Sequence, residues 1–455
     1  MSLSVVILAA GQGARMHSAL PKMLHKLAGK PLLEHILRTV TLLKPHRIVV
    51  VYGHKGAELK SAFAHFKEII WVEQAEQLGT GHAALQALPF LKANDSGKVL
   101  LLPGDNPLIQ VSTLKRLIAE TEINSLALIT QVVDNPVGLG RIIRNSEGDV
   151  VGIVEEKDAS TEQKRLKEIN SGIYCVANMF LNKALPTLTA HNAQQEYYLT
   201  DMIALAVAEH HSVHTVFPDH VWEVQGVNDK IQLAALERIW QKNEASKWMV
   251  LGLTLMDPMR FDVRGDVSIG HDVIIDSNVI LEGTVTIGNH VEIGPNTIIK
   301  DSVILDHVVI KSHCVIDNAI IGKASVVGPF ARLRPGTELK DKVHIGNFVE
   351  IKNTQVGTES KINHLSYMGD SVIGSQVNVG AGVITCNYDG KLKHQTVIGD
   401  HAFIGSDVQL IAPVTIGAGV TVGAGTTITK DVPENYLIHN HVQHRSVEKK
   451  TEIKG

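Results

Sequence analysis

Two basic residues follow a short glycine loop near the start of the chain. The stretch VVILAAGQGARMHSALPKML runs from an apolar strand into Gly11 and Gly13, and it then presents Arg15 and Lys22. The backbone N–H groups of such a loop face an anion, and two nearby cations can gather phosphates and stabilise charge on a departing group. The pattern favours a site for a nucleoside triphosphate, with Arg15 and Lys22 as candidate catalytic residues.

Two other nucleotide-binding motifs are disfavoured by the same stretch. A dinucleotide-binding fingerprint needs a third small residue where this chain has Met16, and an acidic residue after the next strand, where RIVVVYGHKG offers none. The P-loop pattern G-x-x-x-x-G-K-[ST] does not fit the stretch either. A tight turn with solvated cations stays open for G-x-G alone, whereas the longer pattern through Lys22 is more specific.

A carboxylate stands at the end of another predicted strand. In KVLLLPGD, Asp105 follows an apolar run. Its oxygens suit Mg²⁺, which keeps few protein ligands and prefers phosphate oxygens. The alternative is that Asp105 only shapes the turn before Pro107.

A second group of charged residues interrupts an aliphatic ladder in the C-terminal half. The segments GPFARLRPG, GNFVEIKN and INHLSYMGD contain Arg332, Arg334, Lys352 and His364. A single cation of this kind is usually a solvated surface residue, but several on adjacent repeats favour a phosphate site. His364 is one of 23 histidines; an imidazole can act as a general base at neutral pH.

The first half of the chain alternates short apolar strands with amphipathic helices up to about residue 228. Examples of the strands are SVVILAA, RIVVVYG and KVLLLPGD, and PLLEHILRTVTLL is typical of the helices. This alternation predicts a mostly parallel sheet covered on both faces, with ligands outside the carboxyl ends of its strands. The segment 228–249 then predicts one long connecting helix.

The second half has a period of six residues, with glycine often next after the repeated aliphatic position. Such a repeat predicts a parallel β-helix whose aliphatic side chains fill a narrow interior. Aromatic residues make up only 4% of the chain, as expected for so narrow a core. The repeated positions are Ile269, Ile275, Leu281, Ile287, Ile293, Ile299 and Leu305; Ile321, Val327, Leu333, Leu339, Ile345 and Ile351; and Ile398, Ile404, Leu410, Ile416, Val422 and Ile428.

Composition excludes several classes of protein. With 455 residues we expect at least two domains, and the net charge of −4 argues against nucleic acid as a partner. No apolar run approaches the ~20 residues that span a bilayer, and no secretion signal begins the chain, so we expect no membrane partner. Three widely separated cysteines suit a cytoplasmic location.

The motif L-A-A-G-x-G-x-R-M-x4-P-K resembles the signature of the sugar-1-phosphate nucleotidyltransferases. Ala14 replaces the usual Thr, and Pro103 replaces a Tyr of the closest members. The resemblance implies that Gln74, Gln77, Gly79 and Thr80 read the uracil of UTP, and that Asp105 and Asn228 bind Mg²⁺, although Asn228 can equally cap the following helix. The implied UTP- and UDP-sugar-binding residues are Leu8, Ala9, Ala10, Gly11, Lys22, Gln74, Gly79, Thr80, Pro103, Gly104, Asp105, Gly140, Glu155, Asn170 and Asn228.

Over essentially its whole length, the chain resembles the bacterial bifunctional family of N-acetylglucosamine-1-phosphate uridyltransferases/glucosamine-1-phosphate N-acetyltransferases. The implied base is His364, and His441 stands where the family has an Arg that contacts coenzyme A, a role that Arg445 can take instead. The glucosamine-phosphate-binding residues are then Arg334, Lys352, Tyr367 and Asn378, with Glu350 in support. The acetyl-CoA-binding residues are Ala381, Asn387, Tyr388, Ser406, Ala424 and His441.

The fold expected from these features is α/β plus all-β. It comprises a Rossmann-like uridyltransferase domain over 1–228, a linker helix over 229–250 and a left-handed parallel β-helix acetyltransferase domain over 251–455. The implied function is acetyl transfer from acetyl-CoA to glucosamine-1-phosphate, then uridylyl transfer from UTP, in a homotrimer. The alternative is a single-activity nucleotidyltransferase with a structural β-helix.

Overall fold

A computed structural model of the chain describes residues 2–91, 96–122, 125–440 and 445–448. The chain divides into two compact units, and the division falls between Trp240 and Gln241, inside one long helix. No helix among the described residues is long and apolar enough to cross a membrane.

The first unit is built on a mixed sheet flanked by helices. Its strands are β1 (Leu3–Ala9), β2 (Lys26–Leu27), β3 (Lys30–Pro31), β4 (Arg47–Tyr52), β5 (Ile69–Glu73), β6 (Lys98–Pro103), β7 (Ser125–Val132), β8 (Arg141–Arg144), β9 (Val150–Val154), β10 (Glu168–Ala177) and β11 (Ser212–Val216). The α-helices of the chain are α1 (Leu32–Thr41), α2 (Gly56–Ala62), α3 (Thr80–Ala87), α4 (Val111–Ala119), α5 (Asn178–Ala184), α6 (Asp201–Ala208) and α7 (Lys230–Val250). Single 3₁₀ turns lie at Ala14–Met16, Lys22–Leu24, Leu88–Phe90, Gln163–Arg165, Leu185–Thr187, Val221–Val224 and Pro258–Arg260.

Strand order places the ends of β1 and β6 side by side. The main path through the sheet is β11-β7-β10-β6-β1-β4-β5, and β1 pairs in parallel with both β4 and β6. Alternate residues of β1 enter opposite cores: Val6 packs with α3, α5 and α6, whereas Val5 and Ile7 pack with α1, α2 and α4. The sheet is thus buried on both faces, as the near-continuous apolar strands predict.

The second unit coils short parallel strands into a prism. Its strands are β12 (Thr254–Leu255), β13 (Phe261–Ile269), β14 (Ile274–Ile275), β15 (Val279–Ile287), β16 (Glu292–Ile293), β17 (Ile298–Lys300), β18 (Val303–Ile304), β19 (Val309–Ile310), β20 (Val315–Asp317), β21 (Ala319–Ile321), β22 (Val326–Val327), β23 (Arg332–Leu333), β24 (Thr337–Leu339), β25 (His344–Asn347), β26 (Glu350–Lys352), β27 (Gln355–Val356), β28 (Lys361–His364), β29 (Tyr367–Gly369), β30 (Ser371–Ile373), β31 (Asn378–Val379), β32 (Ile384–Cys386), β33 (Thr396–Ile398), β34 (Phe403–Ile404), β35 (Gln409–Ile411), β36 (Val414–Ile416), β37 (Thr421–Val422), β38 (Thr427–Ile428) and β39 (Leu437–Ile438). One sheet contains β12, β14, β16, β19, β22, β25, β28, β31, β34, β37 and β39. The other strands of this unit form a second sheet, which covers the remaining faces of the prism.

The predicted aliphatic ladder fills the interior of this left-handed β-helix, except at two positions. Leu305 is wrong as an interior residue: it is only half-buried, and Ile304 is buried in its place, paired in register with Ile287. The interval between the interior residues Ile299 and Ile304 is therefore five residues rather than six. Because Ile304 and Leu305 are both aliphatic, the sequence pattern is compatible with either spacing. Ile269, on the first coil, is also only half-buried.

Candidate functional sites

The glycine loop leaves β1 at the edge where β6 also ends. Leu8 and Pro103 are register partners, and the Gly104 N–H donates to the Leu8 carbonyl at 2.8 Å. Parallel pairing therefore brings Leu8–Gly11 and Pro103–Asp105 to one sheet edge. Gly13 has φ 64°, and a Cβ there would lie 2.8 Å from the Lys22 Cβ, so glycine permits the loop to pack against Lys22.

Lys22, Asp105 and Asn228 meet although they are far apart in the sequence. The Lys22 ammonium contacts the Asp105 carboxylate and donates to Asn228 Oδ1 at 2.9 Å. Lys22 is only 8% exposed, and these partners satisfy its buried ammonium group. Two oxygen donors of the kind that Mg²⁺ prefers are thus already arranged around one cation, and the pair fits a divalent ion.

Arg15 lies apart from this contact. It sits on the single turn Ala14–Met16, where only Met16 is buried, and its side chain is exposed. The other predicted cation of the loop is therefore free to reach a ligand at the sheet edge.

A cavity of about 490 Å³ extends from the loop and is lined by the loop itself, by Lys22 and by the ends of β4 and β5. Two predicted uracil-reading residues are ordered along it. Gln74 donates to the Gly79 carbonyl at 3.1 Å, and Gln77 donates to the Ala10 carbonyl at 2.9 Å. Thr80 begins α3, and its hydroxyl accepts from the Leu199 N–H at 3.1 Å. The bond from Gln77 joins the predicted base pocket to the glycine loop.

Gly140, Glu155 and Asn170 also come together. The Asn170 N–H donates to the Gly140 carbonyl at 2.9 Å, and a Cβ on Gly140 would lie 3.4 Å from both Glu155 carboxylate oxygens. Burial raises the pKa of Glu155, and the charges of Asp158 and Asp201 add to the effect, whereas a hydrogen bond from Thr200 opposes it. The ionised carboxylate is thus a strong hydrogen-bond acceptor, but its burial lowers the stability of the folded state.

In the β-helix, the cations form a chain of ion pairs along stacked strands. Arg334 Nη1 lies 2.8 Å from Glu350 Oε1, and Lys352 Nζ lies 3.1 Å from Asp370 Oδ2. Asn387 also donates to Asp370. Tyr367 pairs in register with Glu350, and a Cβ on Gly369 would meet the Tyr367 hydroxyl, so this ring lies between the two ion pairs.

Two members of this cluster were missed by the sequence reasoning. Asp370 accepts from Lys352, Asn353 and Asn387; partial burial raises its pKa, but these hydrogen bonds outweigh burial and hold the pKa below its usual range. Lys393 contacts Lys352, which lowers the pKa of Lys393. The sequence offered one signal for each residue. Asp370 follows Lys352 by 18 residues, which is about one coil, and the polar segment TCNYDGKLKHQT contains lysines.

His364 stands at the end of β28 and is exposed. Its Nδ1 lies 3.0 Å from Asn347 Oδ1 on the preceding coil, and the two residues are register partners. An amide oxygen only accepts, so this bond places the imidazole proton on Nδ1 and leaves the lone pair on Nε2. Asn378 pairs with Lys361 on the same sheet as His364, whereas Lys352 belongs to the other sheet.

The predicted acetyl-CoA residues divide between a corner of the coil and the polar loop. Ala381, Ser406 and Ala424 each follow a glycine, and a Cβ on Gly405 would lie 2.7 Å from the Ala424 nitrogen, so backbones approach closely there. Tyr388 is exposed on the loop and donates to the Gly390 carbonyl at 2.7 Å. His441 lies outside the described residues, and Arg445 is exposed.

Comparison with known proteins matches both halves to transferases. Residues 5–151 match the MobA-like NTP transferase domain, 263–343 match the GMPPB C-terminal domain, and 395–430 match the bacterial transferase hexapeptide (six repeats). These matches define a nucleotidyltransferase joined to a hexapeptide-repeat transferase.

Full-length relatives narrow the assignment. The chain is 54% identical over 447 residues to "Bifunctional protein GlmU" of Alcanivorax borkumensis, covering 98% of each protein. It is 53% identical over 448 residues to the protein of that name from Francisella tularensis, covering 98% of each, and 52% identical over 437 residues to that of Acinetobacter baumannii, covering 96% of this chain and 95% of the relative. The chain belongs to the family of bifunctional GlmU proteins. The predicted fold class and the predicted bifunctional enzyme of UDP-N-acetylglucosamine synthesis are confirmed, and the single-activity alternative is disfavoured.

Replacing Asp370 with Asn removes the charge that orients Lys352 and Asn387. We expect the KM for glucosamine-1-phosphate in acetyl transfer to rise about tenfold, the scale of losing one charge-assisted hydrogen bond. Uridylyl transfer and the melting temperature should change little. Asp317→Asn, at the end of β20, is the matched control. An unchanged or lower KM in the Asp370 variant would show that this carboxylate does not position the cluster.

Replacing Glu155 with Gln distinguishes the effect of this residue on stability from its effect on sugar binding. The raised pKa means that the folded state binds this proton more readily than the unfolded chain, so ionisation of Glu155 destabilises the fold as pH rises through that window. Glu155→Gln should keep or raise the melting temperature at neutral pH, yet raise the KM for N-acetylglucosamine-1-phosphate. The wild-type KM should also rise in mildly acidic buffer, while that of the variant stays flat. Exposed Glu147→Gln is the control, and a lowered melting temperature with normal KM would contradict the assignment.

Proposed function

We propose that uridylyl transfer takes place at the β1–β6 sheet edge of the first unit. The main support for this proposal is that Lys22, Asp105 and Asn228 converge beside the glycine loop. UTP would place its phosphates against the loop N–H groups, Arg15 and Lys22, and its uracil near Gln74, Gln77, Gly79 and Thr80. The remaining nucleotide contacts would come from Leu8, Ala9, Ala10, Gly11, Pro103 and Gly104.

The reaction at this site needs no protein nucleophile. A phosphate oxygen of N-acetylglucosamine-1-phosphate attacks the α-phosphorus of UTP in line, and the bond to pyrophosphate breaks. Lys22 and Arg15 would neutralise the charge that builds on the leaving oxygens, which is where preorganised cations contribute most. Asp105 and Asn228 would hold Mg²⁺, which when bound supplies further charge neutralisation to the phosphate oxygens.

Sugar selection is assigned to Gly140, Glu155 and Asn170. A backbone N–H, a buried carboxylate and an amide together offer both donors and acceptors for hydroxyl groups and an N-acetyl group. Glu155 is the strongest acceptor of the three because its charge is only partly compensated by Thr200.

We propose that the second unit acetylates glucosamine-1-phosphate. Arg334, Lys352, Tyr367 and the newly recognised Lys393 would hold the sugar phosphate, and Asn378 would contact the sugar from the neighbouring sheet. Each cation that is paired with a carboxylate in the free protein is then preorganised for an anionic ligand.

His364 is the proposed base for acetyl transfer. The bond to Asn347 supports this role, because it leaves the Nε2 lone pair free to accept the proton of the sugar amine. The amine nitrogen attacks the thioester carbonyl of acetyl-CoA, the carbon–sulfur bond breaks, and the proton on Nε2 can pass to the departing thiolate. Ala381, Asn387, Tyr388, Ser406 and Ala424 would line the coenzyme site.

Assembly as a homotrimer is proposed from an apolar column beside His364. The rings of Phe330 and Phe348 stack with centroids 5.3 Å apart. Leu365 occupies the position after Phe348 on the next coil, because Asn347 and His364 are register partners. These side chains are 47%, 55% and 65% exposed, which is costly unless another subunit covers them.

A cytoplasmic location is proposed as well, since Cys175, Cys314 and Cys386 are all free thiols.

A split assay on one preparation tests the assignment of the two sites. His364→Ala should lose at least about a hundredfold in thiol release from acetyl-CoA, the usual contribution of a general base, but form pyrophosphate from UTP normally. Lys22→Ala should show the reverse. Normal acetylation by His364→Ala would remove the base assignment, and equal loss of both activities in either variant would contradict two separate sites.

A further inference from the structure

Three potential metal ligands stand together at a corner of the first two coils of the β-helix, remote in sequence from every residue assigned above. His271 and Asp272 follow β13, and His290 follows β15. Strands β13 and β15 pair in register, with Ile269 opposite Ile287, so the corners after them are superimposed.

Backbone bonds hold these two corners in a fixed relation. The His290 N–H donates to the His271 carbonyl at 3.0 Å, and the His271 N–H donates to Asn289 Oδ1 at 3.1 Å. Asp272 and His290 both have left-handed backbone, with φ 54° and 55°. The backbone that carries the three side chains is therefore held in place before any ligand binds.

The ligand atoms lie close enough together to share one metal ion. His271 Nδ1 lies 2.8 Å and His290 Nδ1 lies 3.6 Å from Asp272 Oδ2, and one ligand atom of each residue lies within 4.8 Å of the others. Ligands about 2.1 Å from a common tetrahedral ion are roughly 3.4 Å apart, which falls between the two measured distances. This is the only group of three or more such residues with that spacing in the described part of the chain.

A neighbouring ring restrains one of the ligands. His307, on the next coil, stacks on His290 with centroids 4.8 Å apart and nearly parallel rings, which restrains the His290 imidazole.

We propose that His271, Asp272 and His290 form a surface site for a divalent transition-metal ion of the zinc type. Two imidazoles and one carboxylate suit zinc, nickel or copper, whereas Mg²⁺ prefers an all-oxygen set. The site is thus chemically distinct from the proposed Mg²⁺ ligands Asp105 and Asn228. All three side chains are exposed, so the remaining coordination positions are open to water or to a ligand of another molecule.

Zinc binding by the tag-free full-length protein tests this proposal. After treatment with a chelator, the protein is titrated with Zn²⁺ by calorimetry in excess Mg²⁺, which saturates oxygen-only sites. We expect His290→Asn and Asp272→Asn each to weaken one equivalent of zinc binding at least about tenfold, since loss of even a supporting residue has that effect. Asn is a mild replacement at these corners, because Asn278 and Asn296 already adopt φ 59° at similar turns.

His401→Asn is the matched control, because His401 occupies a corner of a later coil with φ 60°. It should keep the zinc equivalent, and Co²⁺ bound to the wild-type protein should show absorption bands that the His290 variant lacks. Zinc binding that is unchanged in both ligand variants, that is lost equally in the His401 variant, or that is absent from the wild type would overturn the proposal.

Discussion

Parallel pairing of strands in strict register determines which residues meet at the proposed sites in both halves of this protein. In the first unit it brings the ends of β1 and β6 together, so Gly11 and Asp105 share an edge. In the second it superimposes residues about one coil apart, so Asn347 lies over His364, and Lys352 lies over Gly369, next to its partner Asp370. A shift of one residue in either register would turn these side chains to the opposite face.

The elements and the interior of the β-helix were largely predictable because local patterns encode them. A period of six fixes which residues point inward, and a glycine loop after an apolar strand marks a sheet edge. The position of each coil slip was harder to predict, as Leu305 and Ile304 show, because neighbouring aliphatic residues satisfy either spacing. The partners Asn347, Asp370 and Lys393 depend on which coils are stacked, and this depends on the sum of all slips before them.

Electrostatics gives the two sites a common logic. Lys22, Arg334 and Lys352 are each paired with a carboxylate in the free protein. Such pairing orders a long side chain and limits the cost of burying its charge. An incoming phosphate then meets a cation already in place. A neutral competitor gains no comparable attraction from that cation. Glu155 reverses the arrangement, since burial raises its pKa and no cation in the described part of the chain is paired with it as closely; the proposed role of its carboxylate is to accept hydrogen bonds from the sugar.

Mixing two variants that each retain one site tests most directly whether the two reactions are independent. His364→Ala and Lys22→Ala are combined with glucosamine-1-phosphate, acetyl-CoA and UTP, and the formation of UDP-N-acetylglucosamine is followed. The account predicts that each variant alone forms almost no product, and that the mixture restores it because the acetylated sugar phosphate passes through solution between the proteins. A mixture as inactive as either variant alone would contradict it.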